Sequence, residues 1–385
     1  MLLLMSQLVL AQDWLLSVSE PYEIRSGGTF ARPFATPQGW KIFLGAGNMR
    51  VADLQPGPEG WLAENIRPIV SMPEIHFNDH GVQRCPDGTY LHIASTDTNQ
   101  PNDTAYIWRY NEDMSVLSSS ILVKGSSDYQ YNDPSIICSS FAEGVAGSNR
   151  GQPPENQFYF INNLSERSET VALASYPRVN GGGIFVDEQE EKIFVMGMAH
   201  GNPFHVNVYD TDWVFQEEHE IDLLDAPMRA YWPQNGLRIG DYYTVVFMGR
   251  DDTWPGDDQG DVFLGIFDLN WSLQDVYPMT TYEASAAMRP WIACDRNTLL
   301  VAYDSFLEHM VVEVKLNEEA FGLYDGNMGD CLPTTKSISR DTENPGSTTV
   351  EVDGGCNHTD GSGPWWLALL GIPLAFRRHR QSRST

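Results

Sequence analysis

Three arginines are the first residues here whose type and setting suggest chemistry. Arg32-Pro33 and Arg289-Pro290 repeat a dipeptide, and Arg229 lies in Met228-Arg229-Ala230-Tyr231-Trp232-Pro233. A guanidinium offers a planar fork of donors, so three converging on one funnel would suit a carboxylate. His80 stands at the position matching Arg32 in a second copy of the surrounding pattern, with Asp79 beside it, and Asp133 holds that position in a third. Two carboxyl groups about 5–10 Å apart across a sugar are what glycoside hydrolysis requires. We therefore expect ligand binding by Arg32, His80, Arg229 and Arg289, with Asp79 and Asp133 as catalytic candidates and Asp187 as another position for a second acid.

A second constellation is the loop Gly249-Arg250-Asp251-Asp252-Thr253-Trp254-Pro255-Gly256-Asp257-Asp258-Gln259-Gly260-Asp261. Its carboxylates, Asp251, Asp252, Asp257, Asp258 and Asp261, repel one another unless a hard cation compensates, which makes calcium the expected ion. No organic cofactor is implied. No glycine-rich phosphate loop follows a strand, so a nucleotide is not expected. Trp232, Trp254 and Trp291 offer faces on which sugar rings could stack.

These residues recur within a repeated pattern: a short apolar strand, a polar or glycine turn, then a stronger apolar strand. It begins at Arg32, Gly81, Gly182, Asn235 and Arg289, and more faintly at Asp133, about 50 residues apart. A second hairpin pattern with an Asn or Asp turn follows the clearest copies, as in Tyr106–Leu117, Val206–Glu217 and Leu264–Asp275. Four short strands per unit at this period predict an all-β chain folded as a β-propeller, with six four-stranded blades. Residues leading each innermost strand would line one mouth of the central channel. Ser17–Ile24 would add an outer strand that closes the ring.

The two ends suggest a compartment. Residues 1–11 are a short apolar run ending in Val9-Leu10-Ala11, the small-residue pattern of a signal peptide cleaved after Ala11. The propeller is expected over 12–325, and a Gly, Ser, Thr and Pro-rich flexible linker over 326–363. Residues 364–385 carry an apolar block and an arginine cluster, and are expected to form a short hydrophobic helix that anchors or sorts the chain. Cys356, the small-residue spacer, this apolar block and Arg377-Arg378-His379-Arg380 together resemble the MYXO-CTERM type of bacterial sorting signal. That resemblance implies surface retention, with Cys356 as the modified residue and a membrane contact through the tail.

Phe30-Ala31-Arg32-Pro33 and the arginine triad are similar to features of sialidases, whose propellers bind a sugar carboxylate, although the Asp-box is absent. Tyr131-Asn132-Asp133-Pro134 resembles the Asp-Pro segment of five-bladed glycosidases, which implies a nucleophile or base at Asp133. The formal charge is −28, from 24 Lys plus Arg against 52 Asp plus Glu, and this repels a phosphate backbone and excludes nucleic acid as a partner. Of the five cysteines, Cys85, Cys138, Cys294 and Cys331 lie in the body, as disulfides or buried thiols. The combined expectation is an exported, surface-retained propeller that binds an extracellular glycan or protein, with a glycoside hydrolase or sialidase-like enzyme as the alternative.

Overall fold

A computed structural model describes residues 13–26, 30–45, 49–58, 60–69, 77–96, 104–124, 131–149, 159–161, 170–172, 179–199, 204–223, 228–251, 260–281, 287–305 and 308–331. The expected signal peptide, most of the linker and the C-terminal segment, with Ala11 and Cys356, lie outside the described residues. Among those described, no helix is long and apolar enough to cross a membrane.

Two strands come first, β1 (Leu15–Val18) and β2 (Tyr22–Ser26). A four-stranded antiparallel sheet follows, β3 (Ala31–Thr36), β4 (Gly39–Leu44), β5 (Arg50–Gly57) and β6 (Gly60–Pro68). The next comprises β7 (Phe77–Arg84), β8 (Tyr90–Thr96), β9 (Thr104–Tyr110) and β10 (Val116–Lys124). Then come two separate ladders, β11 (Tyr131–Cys138) with β12 (Glu143–Asn149), and β13 (Tyr159–Ile161) with β14 (Thr170–Ala172). Four-stranded sheets resume with β15 (Val179–Asp187), β16 (Lys192–Ala199), β17 (Phe204–Tyr209) and β18 (Phe215–Ile221). After them stand β19 (Met228–Ile239), β20 (Tyr242–Asp251), β21 (Asp261–Asp268) and β22 (Leu273–Pro278). The last sheet has β23 (Ala287–Asp295), β24 (Thr298–Ser305) and β25 (Glu308–Leu316), and both β1 and β2 pair with β25.

The first strands of these units pack around an axis in the order β3, β7, β11, β15, β19, β23 and back to β3. This is the expected propeller, closed by N-terminal strands as expected. The prediction of six four-stranded blades is corrected, because five of the sheets reach four strands and β11 to β14 form two two-stranded ladders. Among the described residues the outer pair of that unit is reduced to three residues per strand, β13 and β14, which bond each other and pack beside β12 without a ladder to it.

Outer hairpins share one turn. Asn111, Asp210 and Asp268 accept from the amides of Met114, Trp213 and Trp271, and donate to the carbonyls of Ser115, Val214 and Ser272. Met114, Trp213 and Trp271 take φ of 67°, 61° and 63°, a left-handed conformation that costs a residue with a Cβ and must be offset by packing. Trp271 provides it by stacking 4.9 Å from Tyr243. Trp213 covers Gly144, where a Cβ would approach the indole to 2.5 Å, so that glycine serves a close approach.

Disulfides join Cys85 to Cys138 and Cys294 to Cys331, with Cα separations of 5.0 and 4.7 Å. The second ties a 3₁₀ turn at Gly329–Cys331 to the trailing end of β23. Residues 326–331, assigned to the linker by composition, thus pack on the body, and Cys331 is fully buried. Replacing Cys294 and Cys331 together by serine should lower the unfolding free energy in urea by about 2–4 kcal/mol. An unchanged midpoint would mean that the strap adds nothing to the body.

Candidate functional site at the propeller axis

Five of the six inner strands break register with the second strand of their unit near their leading ends. The breaks fall between Phe77 and His80, Asn132 and Ser135, Val179 and Gly182, Tyr231 and Asn235, and Met288 and Trp291. The positions left out of the ladders include Asp79, Asp133, Asn180, Gln234 and Arg289. A bulge interrupts pairing and re-aims what it carries, and proline, which cannot donate, is tolerated there. Pro134, Pro233 and Pro290 each occupy one of these breaks. The backbone thus sets Asp133 and Arg289 at equivalent positions on β11 and β23, each the first residue of its break, while Asp79 is the second residue of the break in β7, where β11 and β23 carry Pro134 and Pro290. Arg229 lies two residues before the break in β19, in register with Arg250.

Just past the breaks, polar side chains stitch one inner strand to the next. Arg32 is buried and donates through Nε to the His80 carbonyl at 2.8 Å and through Nη1 to the Arg289 carbonyl at 2.9 Å. His80 bonds the Phe30 carbonyl at 2.7 Å through Nε2, which requires the proton on that nitrogen. Asn235 pairs with both the carbonyl and the amide of Ile292 at 2.8 and 3.0 Å. Ser135 Oγ does the same with Ile184 at 3.4 and 3.3 Å. Arg32 therefore ties β3 to β7 and β23, and holds the backbone of the Arg289 bulge.

The Arg32 and Arg289 guanidiniums both lie over the Phe30 ring, at 4.9 and 4.6 Å, and Arg32 also lies 4.7 Å from Trp291. Arg289 faces buried Asp304 at 3.5 Å and is 19% exposed. Phe30 and Arg289 both take positive φ, 62° and 55°. Such conformations cost on the order of 1–3 kcal/mol and persist where the surroundings impose them. Here hydrogen bonds from Arg32 to the Arg289 carbonyl and from His80 to the Phe30 carbonyl hold the two backbones.

Beneath this layer His80 and His92 are fully buried, their rings 5.5 Å apart. His92 stacks on Phe43 at 4.5 Å and meets the Tyr110 hydroxyl at 3.4 Å. Burial pushes His92 down to about 3. Burial, then the proximity of His92 and of the Arg32 cation, hold His80 well below the ordinary histidine range. Both rings are neutral at physiological pH.

A cavity of about 800 Å³ occupies the trailing half of the axis, and its lining includes Pro33, Trp291, Arg84, Glu188, Gln189 and Asp330. Asp187 and Arg238 form a buried pair there. Arg238 Nη1 donates to both Asp187 oxygens at 2.8 and 2.7 Å, and the Tyr243 hydroxyl donates at 2.9 Å. The amides of Gln189 and Glu190 complete the set. Asp187 thus acts as an anchor between β15 and β19, with its oxygens already engaged. Asp330 accepts from the Arg238 amide at 2.7 Å. Burial raises it to about 7, with Asp187 and Glu188 adding to the effect and the Arg238 contacts opposing it.

The structure thus brings Arg32, His80 and Arg289 together. The side chains of Asp79, Asp133, Arg229, Trp232 and Asp251 lie outside the described set, as do Asp252, Trp254, Asp257 and Asp258. Asp261 accepts from the Thr280 hydroxyl at 2.7 Å, and Trp291 is buried. Sequence reading missed His92, Asp304, Arg238 and Asp330. The available signal was a charge ending an otherwise apolar inner strand, as at Arg84, Asp187 and Arg238.

No family model matches this sequence, and no curated protein does. Among solved structures, a protein of unknown function from Dyadobacter fermentans is 13% identical at a TM-score of 0.55, over 79% of this chain and 100% of its own. The Hadza microbial sialidase is 11% identical at 0.55, over 78% of this chain and 69% of its own. An α-L-arabinanase from Penicillium chrysogenum is 10% identical at 0.55, over 78% and 98%. What they share with this chain is the fold. The resemblance to sialidases and glycosidases read from the sequence is supported at that level alone.

Two predictions follow from these buried groups. Asp187→Ala strands the Arg238 charge and should cost about 3–5 kcal/mol in denaturant unfolding, whereas a change below 1 kcal/mol would rule out the anchor role. His92 has a depressed folded pKa, so the unfolded chain binds its proton first as pH falls. Its contribution is present above about 6.5 and declines toward about 3. His92→Phe, which keeps the stack on Phe43, should flatten the acid loss of stability by up to about 1.4 kcal/mol per pH unit. Parallel stability curves for the two proteins would contradict neutral burial of His92.

Proposed function

We propose that this chain is an exported, surface-retained propeller that binds an extracellular glycan or protein ligand at the leading ends of its inner strands. The observation that carries the reading is the set of five bulges, which repeat at one level around the axis and hold Asp79, Asp133, Gln234 and Arg289. Repetition of a ladder break in five blades has no use in sheet pairing, and bulges serve to re-aim residues beside sites. The Arg32 tie that fixes the Arg289 backbone is the positioning such a site needs. Two disulfides support an oxidising compartment, in keeping with the apolar N-terminal run and the sorting-signal resemblance of the tail.

A second reading, glycoside hydrolysis, rests on Asp79 and Asp133 standing at equivalent breaks on neighbouring strands β7 and β11. The Penicillium protein in the comparison is an arabinanase complexed with arabinobiose, and another neighbour is a sialidase. Arabino- and sialo-oligosaccharides are therefore the first probes. On immobilised panels of both, the full chain should retain at least one class. Arg289→Lys, which keeps a cation opposite buried Asp304, and Asp133→Asn should weaken that retention at least tenfold with unchanged melting temperatures. Retention equal in the variants, or none on either class, would defeat binding of these glycans at the bulge ring. Release of reducing ends that is lost in Asp133→Asn would establish the hydrolase reading instead.

A further inference from the structure

The outer hairpin of the fourth unit along the chain carries a cluster unrelated to the axis. β17 and β18 pair with His205 opposite Glu220 and Asn207 opposite Glu218. Since strand side chains alternate faces, His205, Glu218 and Glu220 share one face of the sheet. His205 Nδ1 stands 2.8 Å from Glu218 Oε1 and 4.0 Å from Glu220 Oε1. One ligand atom from each residue falls within 4.8 Å of the others. Tetrahedral donors at bonds of about 2.1 Å sit about 3.4 Å apart, so the two measured separations bracket the spacing of a small divalent ion.

We propose that His205, Glu218 and Glu220 form a zinc-class metal site across β17 and β18. Two carboxylates two residues apart on one strand face repel each other, and a cation between them removes that cost. The imidazole nitrogen selects a borderline metal over calcium, which prefers an all-oxygen set of six or more donors. Histidine 205 is nearly buried and its ring is fixed by the ladder, while Glu218 and Glu220 are 39% and 66% exposed. The ion would enter from solvent and keep a water in its fourth position. On the opposite face His219 Nε2 lies 3.5 Å from Glu217 Oε1, a contact that does not join the set. The bound ion would cross-link the outermost strand of this blade to the strand inside it.

The test uses the full chain stripped with a chelator and titrated with zinc chloride by calorimetry. We expect one equivalent to bind with a Kd below about 10 μM (about −6.8 kcal/mol or tighter), and a higher melting temperature with zinc, as for any ligand bound only by the folded state. Cobalt(II) should give the visible absorption of a four-coordinate site. His205→Gln and Glu220→Gln should each weaken zinc at least tenfold and abolish the melting shift. Glu220 is exposed, so its variant tests the site without threatening the fold. The proposal is overturned if no zinc binds, if Glu220→Gln binds as the parent does, or if calcium binds as tightly and is lost with the same variants.

Discussion

Inner strands of a propeller run side by side around an axis with no hydrogen-bond ladder between them. Their buried amides and carbonyls facing the next blade therefore need partners from side chains. Arg32, His80, Ser135 and Asn235 meet that need by bonding backbone groups of an adjacent inner strand. A guanidinium in this role is the most demanding choice, because a buried cation must be compensated in place. Three backbone carbonyls and two aromatic faces surround the Arg32 guanidinium. At the seam where the last blade meets the first, this side chain adds polar ties to a shared apolar core that includes Ile42, Leu44, Leu300 and Val311.

The two ends of the axis use opposite means. At the leading end the chain breaks register and holds residues in left-handed conformations, which costs stability and creates a set of positions outside the ladders. At the trailing end Asp187, Arg238 and Tyr243 saturate one another, and the strap ending at Cys331 is fastened by a disulfide. Ladder breaks collect at one face and saturated polar contacts at the other.

Much of this was legible in the sequence because it is local. The hairpin turns announce themselves through Asn or Asp three residues before Met114, Trp213 and Trp271. The Arg-Pro dipeptide marks the start of an inner strand at both Arg32 and Arg289, but it coincides with a ladder break only at the second. Other features depend on contacts across blades, to which a linear pattern is blind. The pairing of Cys85 with Cys138 spans 53 residues, and that of Arg238 with Asp187 spans 51. The burial of Arg32 could not be foreseen either, since an arginine beside a mouth and one locked under it share the same motif. The unit containing β11 to β14 was read as a full blade because its first hairpin keeps the repeat, while its described outer strands are three residues each and bond only one another.

The pairing of β1 and β2 with β25 joins the first described strands of the chain to the last. In the register Tyr22 faces Val311 and Val18 faces Val314, so this sheet cannot be completed until nearly the whole chain is present. Contacts of such long sequence separation form late and slowly. During synthesis, the early strands must wait with open edges that could pair wrongly. Closure is then a proofreading step of a kind, since only a chain delivered through Leu316 can seal its ring.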